Sequence, residues 1–321
     1  MPRVAIIGAG LIGRAWAIVF ARAGWDAAIY DAVDGVADKA LGLVAEGLSE
    51  LAKHGLVDDP KAAASRVRAA KSVADALDGA SLAQENVPET VEAKRAIFAE
   101  LDALAAPDTI LASSSSAIVP SLFSENLAGR ARCLVAHPVN PPHLVPIVEL
   151  LGAPWTAPET IARARLVFES IKQVPIEVRR EIEGFILNRL QGALLAEAFR
   201  LVGEGYVSPQ DLDKTIKDGL GLRWSFMGPF ATIELNAPGG IADYCARYTG
   251  MYRRVMAQPA KPEVFDPANV EAIRLKARRL FVVRRGKVIA ESARAVTRLD
   301  LPGRPSEVDA ASYAPITPSS S

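Results

Sequence analysis

Short apolar runs alternate with stretches of helical spacing up to about residue 180 of this chain. Between the runs, apolar residues mostly recur with the period of a helix, as they do from Thr90 to Leu104. Alternating strand and helix signals of this kind predict a mostly parallel, doubly wound α/β sheet of the Rossmann type. The predicted strands are Val4–Ile7, Ala27–Tyr30, Arg68–Lys71, Ser81–Gln84, Thr109–Ser113, Arg132–Ala136, Pro146–Leu150 and Val174–Val178.

The late strands differ from the earlier ones in how they are connected. Only a short link separates the run that ends at Ala136 from the run that ends at Leu150. A parallel connection needs a crossover of roughly a dozen residues or more, usually a helix, and this link is too brief for one. We therefore expect the late strands to be antiparallel additions to the sheet.

The second half of the chain has a different pattern. From Gly184 to Val202, apolar residues lie on more than one face of a long predicted helix, which is typical of a helix buried by several neighbours. Ser208 caps the next predicted helix and Pro209 begins it. We expect an NAD-binding domain over residues 1–182 and an all-α domain over 183–300. The Pro- and Ser-rich end, 301–321, is expected to be a mobile tail.

Composition favours a two-domain enzyme of the cytoplasm. The chain has 321 residues, half of them hydrophobic, and 37 basic against 37 acidic side chains. This balance offers no basic surface for nucleic acid or membranes, and no apolar stretch is long enough to span a bilayer. Residues 1–4 lead straight into the first strand, which leaves no room for a signal peptide. The two cysteines, Cys133 in a predicted strand and Cys245 in a predicted helix, form neither a disulfide framework nor a metal site.

The glycine-rich turn after the first strand predicts a dinucleotide site. Gly8, Gly10, Leu11, Ile12 and Gly13 lie between that strand and a helix-forming segment, in the pattern Gly-Ala-Gly-Leu-Ile-Gly. Glycines permit the tight turn and let the backbone approach a pyrophosphate, while the helix N-terminus offers unpaired N–H groups to the phosphates. A glycine turn of purely structural use is the weaker alternative.

Asp31 indicates which dinucleotide is bound. It ends the second predicted strand, about 20 residues after the glycines, where a carboxylate accepts hydrogen bonds from the adenosine ribose. The same carboxylate would repel the 2′-phosphate of NADP. The sequence therefore predicts NAD as the cofactor, with no metal.

His137 is the strongest candidate for acid–base chemistry. It ends an apolar run at the edge where open α/β sheets bind ligands, and Glu149 lies on the next run. A carboxylate can orient the ring, which then accepts a proton near neutral pH, as alcohol oxidation requires. The alternative is a histidine whose hydrogen bonds are satisfied within a proline-rich turn.

Over residues 2–270 the chain resembles the 3-hydroxyacyl-CoA dehydrogenase superfamily, and most closely its λ-crystallin and L-gulonate 3-dehydrogenase branch. The resemblance covers several independent blocks in the same order. These are Gly8–Gly13, Gln84–Glu89 with Lys94, Ser113–Ser116, Ala136–Pro142, Val148–Leu150, Gly184–Arg189 and Gly219–Trp224.

The resemblance implies roles for further residues. His137 would be the catalytic base and Glu149 its partner, while Ser116 and Asn188 would hold the reacting substrate oxygen. Cofactor contacts would come from Glu89, Lys94 and Asn140, and the helical domain would form a homodimer. Read by themselves, Ser116 could instead be a helix cap, and Asn188 a buried polar residue satisfied within its helix.

Departures from the family pattern bear on the substrate. Ser114 replaces an asparagine usual in the broader family, and Val139 and Pro142 differ from residues common in acyl-CoA enzymes. Arg223 lies where those enzymes are more often uncharged, and a guanidinium can bind a free carboxylate with two hydrogen bonds. The alternative for Arg223 is a salt bridge at the surface or between subunits.

These departures favour a small 3-hydroxy acid, L-gulonate or a related compound, over a CoA thioester. Two alternatives stay open: an acyl-CoA dehydrogenase with the same chemistry, and an NAD-binding structural protein like the lens crystallins of this family. The presence of all four catalytic candidates argues against the structural protein.

Overall fold

In the computed structural model, which describes residues 2–267, 280–284 and 287–292, a sheet of eight strands organises the first part of the chain. The strand order is β3-β2-β1-β4-β5-β6-β7-β8, and all neighbours are parallel except β6 and β7. The doubly wound sheet and the reversed direction of its late strands confirm the predictions. The strands are β1 (Arg3–Ile7), β2 (Asp26–Tyr30), β3 (Val67–Ala69), β4 (Leu82–Glu85), β5 (Ile110–Ser113), β6 (Cys133–Pro138), β7 (Ile147–Gly152) and β8 (Val174–Val178).

Helices follow the strands on both faces of this sheet. Three of the seven helices have a side-chain cap at their start, since Asp59, Ser72 and Thr90 each accept a hydrogen bond from a backbone N–H of the helix that follows. The helices are α1 (Leu11–Arg22), α2 (Val36–Lys53), α3 (Pro60–Ala64), α4 (Val73–Leu77), α5 (Val91–Leu104), α6 (Ser121–Ser124) and α7 (Pro158–Ser170).

The core has two layers because successive strand residues point to opposite faces. In β1, Val4 and Ile6 belong to one apolar cluster, and Ala5 and Ile7 belong to the other. Every residue of β6 is buried, including Cys133, and burial raises the pKa of that thiol to about 12. A sheet covered on both faces is what the continuous apolar runs predicted.

The chain divides into two compact units after Asn188, and the pair of strands at 280–292 belongs with the first. Domain limits of 1–182 and 183–300 stay a prediction. The second unit is helical, as expected. It contains most of α8 (Leu187–Gly203), then α9 (Pro209–Lys214), α10 (Gly221–Trp224), α11 (Pro229–Asn236) and α12 (Gly240–Met256), which carries Cys245, besides a π-helical turn at Thr215–Leu220 and a 3-10 turn at Pro262–Phe265.

Two expectations about the long helix α8 were wrong. It begins at Leu187 rather than Gly184, because Gly184 and Phe185 have φ of 72° and 48°, which is incompatible with a right-handed helix. It was also expected to be buried by several neighbours, yet none of its residues is fully buried. Its apolar residues are therefore only partly covered by the part of this chain that the structure describes.

Two further regions bear on the predicted domain layout. An antiparallel pair, β9 (Leu280–Arg284) and β10 (Lys287–Ser292), falls inside the range expected to be helical. The predicted tail, 301–321, lies outside the described residues. Among the helices that are described, none combines the length and apolarity needed to cross a membrane.

His143, in the link between β6 and β7, is held in an unusual state. Burial, with the charge of Arg22 nearby, lowers the pKa of its imidazole from 6.5 to about 4. Its Nδ1 is buried and has no hydrogen-bond partner among the described residues, whereas its carbonyl accepts from the Arg22 guanidinium at 2.8 Å. The folded protein therefore favours the neutral ring.

Acid should destabilise the protein through His143. As the pH falls from 6.5 toward 4, the unfolded chain binds a proton that the folded chain does not, and about 3 kcal/mol of stability is lost by pH 4. Above pH 6.5 the ring is neutral in both states and has no effect. Denaturant unfolding at pH 7 and pH 4 measures the loss. His143→Gln should lose less stability over this interval than the parent, and an equal loss would contradict the assignment.

Candidate active site

The turn between β1 and α1 admits no side chain larger than that of glycine at two positions. Gly8 has φ of 96°, and a Cβ there would lie 2.7 Å from the carbonyl oxygen of Asn86. A Cβ on Gly13 would overlap the carbonyl of Gly8. Gly10 precedes α1, whose first turn carries no acidic residue. The N–H groups at this helix start therefore suit the pyrophosphate of NAD.

The Asp31 carboxylate lies beside this turn. Its Oδ2 accepts a hydrogen bond from the Ala9 backbone N–H at 2.8 Å, and its Oδ1 accepts one from Val33 at 3.0 Å. A carboxylate has about four acceptor sites, so two backbone bonds leave capacity for the hydroxyls of a ribose. The two bonds fix the orientation of the carboxylate before any cofactor arrives.

His137 and Glu149 form a buried pair across two strands. They are direct partners in the antiparallel register of β6 and β7, and His137 Nδ1 lies 2.8 Å from Glu149 Oε2. Burial raises the pKa of Glu149, but hydrogen bonds from His137 and from two backbone N–H groups outweigh it, and the net pKa is lowered. An ionised Glu149 holds the ring proton on Nδ1, which leaves Nε2 to accept a proton.

Three residues that follow β8, at positions 185–187, complete the surroundings of this pair, and the sequence did not predict their role. Phe185 is fully buried, and its ring meets the imidazole of His137 edge to face at a centroid distance of 5.5 Å. The backbone N–H groups of Ile186 and Leu187 each donate to Glu149 Oε1 at 2.9 Å. No periodicity marks such a contact, because it depends on a turn with left-handed backbone.

Ser116 and Asn188 lie next to each other in the structure. The side-chain amide of Asn188, in the first turn of α8, donates to the backbone carbonyl of Ser116 at 2.8 Å. Within the described residues, the hydroxyl of Ser116 has no hydrogen bond. The amide keeps a second N–H, so both residues retain a donor for an oxygen atom.

Each of the three serines before Ser116 uses its hydroxyl in hydrogen bonds within the protein. Ser113 donates to Glu85 and Ser115 donates to Glu89. The hydroxyl of Ser114 accepts hydrogen bonds from Trp16 Nε1 at 3.0 Å and from Gln84 Nε2 at 2.7 Å. It donates one to Asn86 Oδ1 at 2.8 Å. A hydroxyl has one donor and two acceptor positions, so Ser114 is saturated. Ser116 is thus the serine of this run whose hydroxyl has no hydrogen-bond partner in the described part of the chain, and its role toward substrate stays a prediction.

Glu89 and Lys94, expected to contact the cofactor, belong to an ion-pair network under the Ser116 loop. Lys94 is 1% exposed and bridges Glu85, at 3.1 Å, and Glu89, at 3.2 Å. Burial raises the pKa of Glu85, opposed by Lys94, Ser113 and a backbone N–H. Glu89 accepts from the backbone N–H of Ser116 at 2.9 Å. Both residues therefore support the loop, and their contact with NAD stays a prediction.

Arg223 lies in α10 of the second unit and is exposed. Among the described residues it has no ion pair. Its positive charge acts on Tyr244. The hydrogen bond with Tyr252 raises the pKa of the Tyr244 hydroxyl, and the guanidinium of Arg223 reduces that rise without reversing it. Both tyrosines line an open, mostly apolar cavity of about 660 Å³ in this unit. Asn140 is exposed in the link after β6, and within the described part of the chain it has no hydrogen bond to His137 or Glu149, so its contact with NAD stays a prediction.

Comparison with known proteins identifies both parts of the chain. The 3-hydroxyacyl-CoA dehydrogenase NAD binding domain matches residues 3–182, and the C-terminal domain of the same family matches residues 184–273. The lambda-crystallin homolog of Rattus norvegicus is 43% identical over 273 residues, which are 84% of this chain and 85% of the relative.

Two further relatives carry enzyme names. The L-carnitine dehydrogenase of Pseudomonas aeruginosa is 37% identical over 76% of this chain and 76% of its own. The solved structure of a 5-formyl-3-hydroxy-2-methylpyridine 4-carboxylic acid 5-dehydrogenase, an NAD⁺-dependent dismutase, is 28% identical. It covers 90% of each chain with a TM-score of 0.72.

Cofactor choice should depend on Asp31. Asp31→Ala should weaken NAD binding by about 10- to 150-fold, since a hydrogen bond to a charged group is worth about 1.5–3 kcal/mol. NADP binding should weaken less, so the preference for NAD narrows. Calorimetric titration with both cofactors measures this. Asp31→Asn, which keeps an acceptor for Ala9, is the control for the shape of the turn. Equal or better use of NADP by the parent protein would refute the role.

Proposed function

We propose, since this chain belongs to the 3-hydroxyacyl-CoA dehydrogenase family, that it oxidises the 3-hydroxyl of a small free 3-hydroxy acid to the 3-oxo acid. The family makes it an NAD-dependent oxidoreductase acting on CH–OH groups. L-Gulonate or a related acid is the substrate that we put forward. The His137–Glu149 pair, with Nε2 of His137 left to act as a base, is the observation that carries the proposal.

The chemistry is a paired loss of a proton and a hydride from the alcohol. His137 Nε2 takes the hydroxyl proton, and Glu149 stabilises the imidazolium that forms. NAD, held at the turn that contains Gly8 and Gly13 and at Asp31, would supply the acceptor for the hydride that leaves the carbinol carbon. The hydroxyl of Ser116 and the amide of Asn188 donate hydrogen bonds to the substrate oxygen as it gains negative charge.

Arg223 supports a free acid as the substrate. A guanidinium without an ion pair among the described residues is available to a carboxylate, which a CoA thioester lacks. Two relatives are named for small molecules, L-carnitine and a pyridine carboxylic acid. Arg223 acts either in the site of its own subunit or in that of a second copy.

An acyl-CoA substrate is the second candidate, and the description of the matching family favours it. The catalytic residues would be the same, and Arg223 would have no carboxylate to bind. A structural protein that only binds NAD is the third candidate, suggested by the lambda-crystallin relatives. Against it stand the buried base, its carboxylate partner and the hydroxyl of Ser116, which a protein without turnover does not need.

We also propose that two copies of the chain associate through the second unit. Five large apolar side chains there expose between 67% and 77% of their surface, and a second copy could bury this apolar surface. They are Leu190, Phe226, Phe230, Leu235 and Met256. A symmetric dimer would cover the same patch on both copies.

Replacing the base should stop turnover and spare cofactor binding. His137→Ala should lower turnover by a factor of about 100 or more, because general-base catalysis contributes about 10²–10⁴ in rate. Stopped-flow NADH formation and an NAD titration on the same sample measure both quantities. The NAD dissociation constant serves as the control for folding. Turnover like that of the parent would rule out His137 as the base.

Arg223→Met should separate the two substrate classes. It should raise the Michaelis constant for free 3-hydroxy acids by about 10- to 150-fold, the worth of one charge-assisted contact. The constant for 3-hydroxybutyryl-CoA should change little. NAD reduction is followed with L-gulonate, L-3-hydroxybutyrate, carnitine and the CoA thioester at equal concentrations. Arg253→Met, in α12, is the matched loss of another exposed arginine of the same unit. If the Arg223 variant has the parent's Michaelis constant for free acids, Arg223 does not bind the carboxylate and an acyl-CoA substrate becomes the better candidate.

Association is tested by sedimentation velocity at micromolar protein concentration. The parent should sediment as a dimer, and Phe230→Asp should shift it toward the monomer because a buried unpaired charge opposes the contact. Asp218→Ala, a change on the polar surface of the same unit, should leave the dimer intact. A parent protein that sediments as a monomer would contradict the proposal.

A further inference from the structure

We infer that Glu149 has a second positioning role in the proposed reaction: the oxygen not used by His137 fixes the start of α8 and thereby the place of Asn188. This inference rests on the proposed function only for the role of Asn188 toward substrate. The hydrogen bonds that carry it belong to the protein alone, and they can be measured without any substrate.

The Glu149 carboxylate divides its two oxygens between two tasks. Oε2 lies 2.8 Å from His137 Nδ1, and Oε1 accepts from the N–H groups of Ile186 and Leu187 at 2.9 Å each. The residue is 0% exposed, so water does not compete for these donors. An ionised acceptor makes such bonds shorter and stronger than a neutral one.

The start of α8 needs an acceptor from elsewhere in the fold. Leu187 is the first helical residue, and the apolar side chain of Ile186 before it cannot cap the unpaired N–H groups. Gly184 and Phe185 before them hold left-handed backbone conformations, which are costly for phenylalanine. Glu149, on β7, supplies the missing acceptor, and the buried Phe185 ring closes over His137 as the same turn is formed.

Asn188 follows directly on the residues that Glu149 holds. Its amide donates to the carbonyl of Ser116 at 2.8 Å, so the serine loop is joined to the same helix start. One carboxylate therefore determines the ring orientation of the base and the position of a donor to the substrate oxygen. Loss of the base alone and loss of this carboxylate should consequently have different effects on substrate binding.

Three variants separate the two tasks. His137→Ala removes the base and keeps the helix contact. Glu149→Gln keeps an oxygen for Ile186 and Leu187 but turns an amide N–H₂ toward Nδ1, which forces the ring into the wrong tautomer. Glu149→Ala removes both contacts. All three should turn over slowly.

Hydrogen exchange at the amides of Ile186 and Leu187 should sort these variants. Exchange should stay slow in the parent, in His137→Ala and in Glu149→Gln, and it should be faster by about tenfold or more in Glu149→Ala. The Michaelis constant for the best hydroxy acid should rise in Glu149→Ala relative to Glu149→Gln. Adding Asn188→Ala should raise that constant in the Glu149→Gln background and leave it nearly unchanged in Glu149→Ala.

A variant that leaves Glu149 in place allows the inference to be tested even if Glu149→Ala does not fold. Leu187→Pro removes one of the two donors, and proline is well tolerated as the first residue of a helix. It should speed exchange at Ile186 and raise the Michaelis constant. Because the Leu187 N–H is one of the donors that lower the pKa of Glu149, its loss should raise that pKa and shift the pH dependence of turnover as well. Unchanged exchange at Ile186 in both Glu149→Ala and Leu187→Pro would overturn the inference. If the exchange results hold and no 3-hydroxy acid is oxidised, the proposed function fails and the positioning of α8 stands.

Discussion

A buried carboxylate must be surrounded by donors, and the candidate site is built around that requirement at Glu149. Its surroundings supply an imidazole N–H from one strand and two peptide N–H groups from the start of a helix. The pairing of β6 with β7 places the histidine beside the carboxylate, and the left-handed turn at Gly184 and Phe185 places the two peptide N–H groups there. If any of these elements shifted, a negative charge would be left in the interior without compensation. The need to solvate one ion therefore constrains several separate pieces of chain.

The cofactor edge of the sheet follows a different physical rule. There the backbone itself must come close to a ligand, so the side chain is removed at Gly8 and Gly13, and unpaired N–H groups are exposed at the start of α1. The Ser116 loop lies at the same edge and is supported from below by Glu89 and Lys94. The predicted cofactor site thus depends on the absence of side chains at the glycine turn, whereas the loop of Ser116 depends on a dense network of polar side chains.

Local patterns in the sequence were enough to predict most of the first unit. Apolar runs located the strands because both faces of the sheet are buried, and the short link after His137 predicted the reversal at β7. The pairing of His137 with Glu149 followed from residues on adjacent strands. The true start of α8 was missed, since a left-handed phenylalanine is held by contacts distant in the chain and has no local signal. Glu85 was missed for a similar reason, because its partners come from β5 and α5.

The thiol of Cys133 is buried at the beginning of the strand that ends with His137, while the other cysteine of the chain, Cys245, is exposed. A thiol with a pKa of about 12 in a closed core is almost unreactive, so alkylating reagents meet only Cys245 until β6 opens. The rate at which a second label is incorporated then reports the opening of the catalytic strand itself. Labelling of the exposed Cys245 in α12 provides the internal standard for reagent activity in the same experiment.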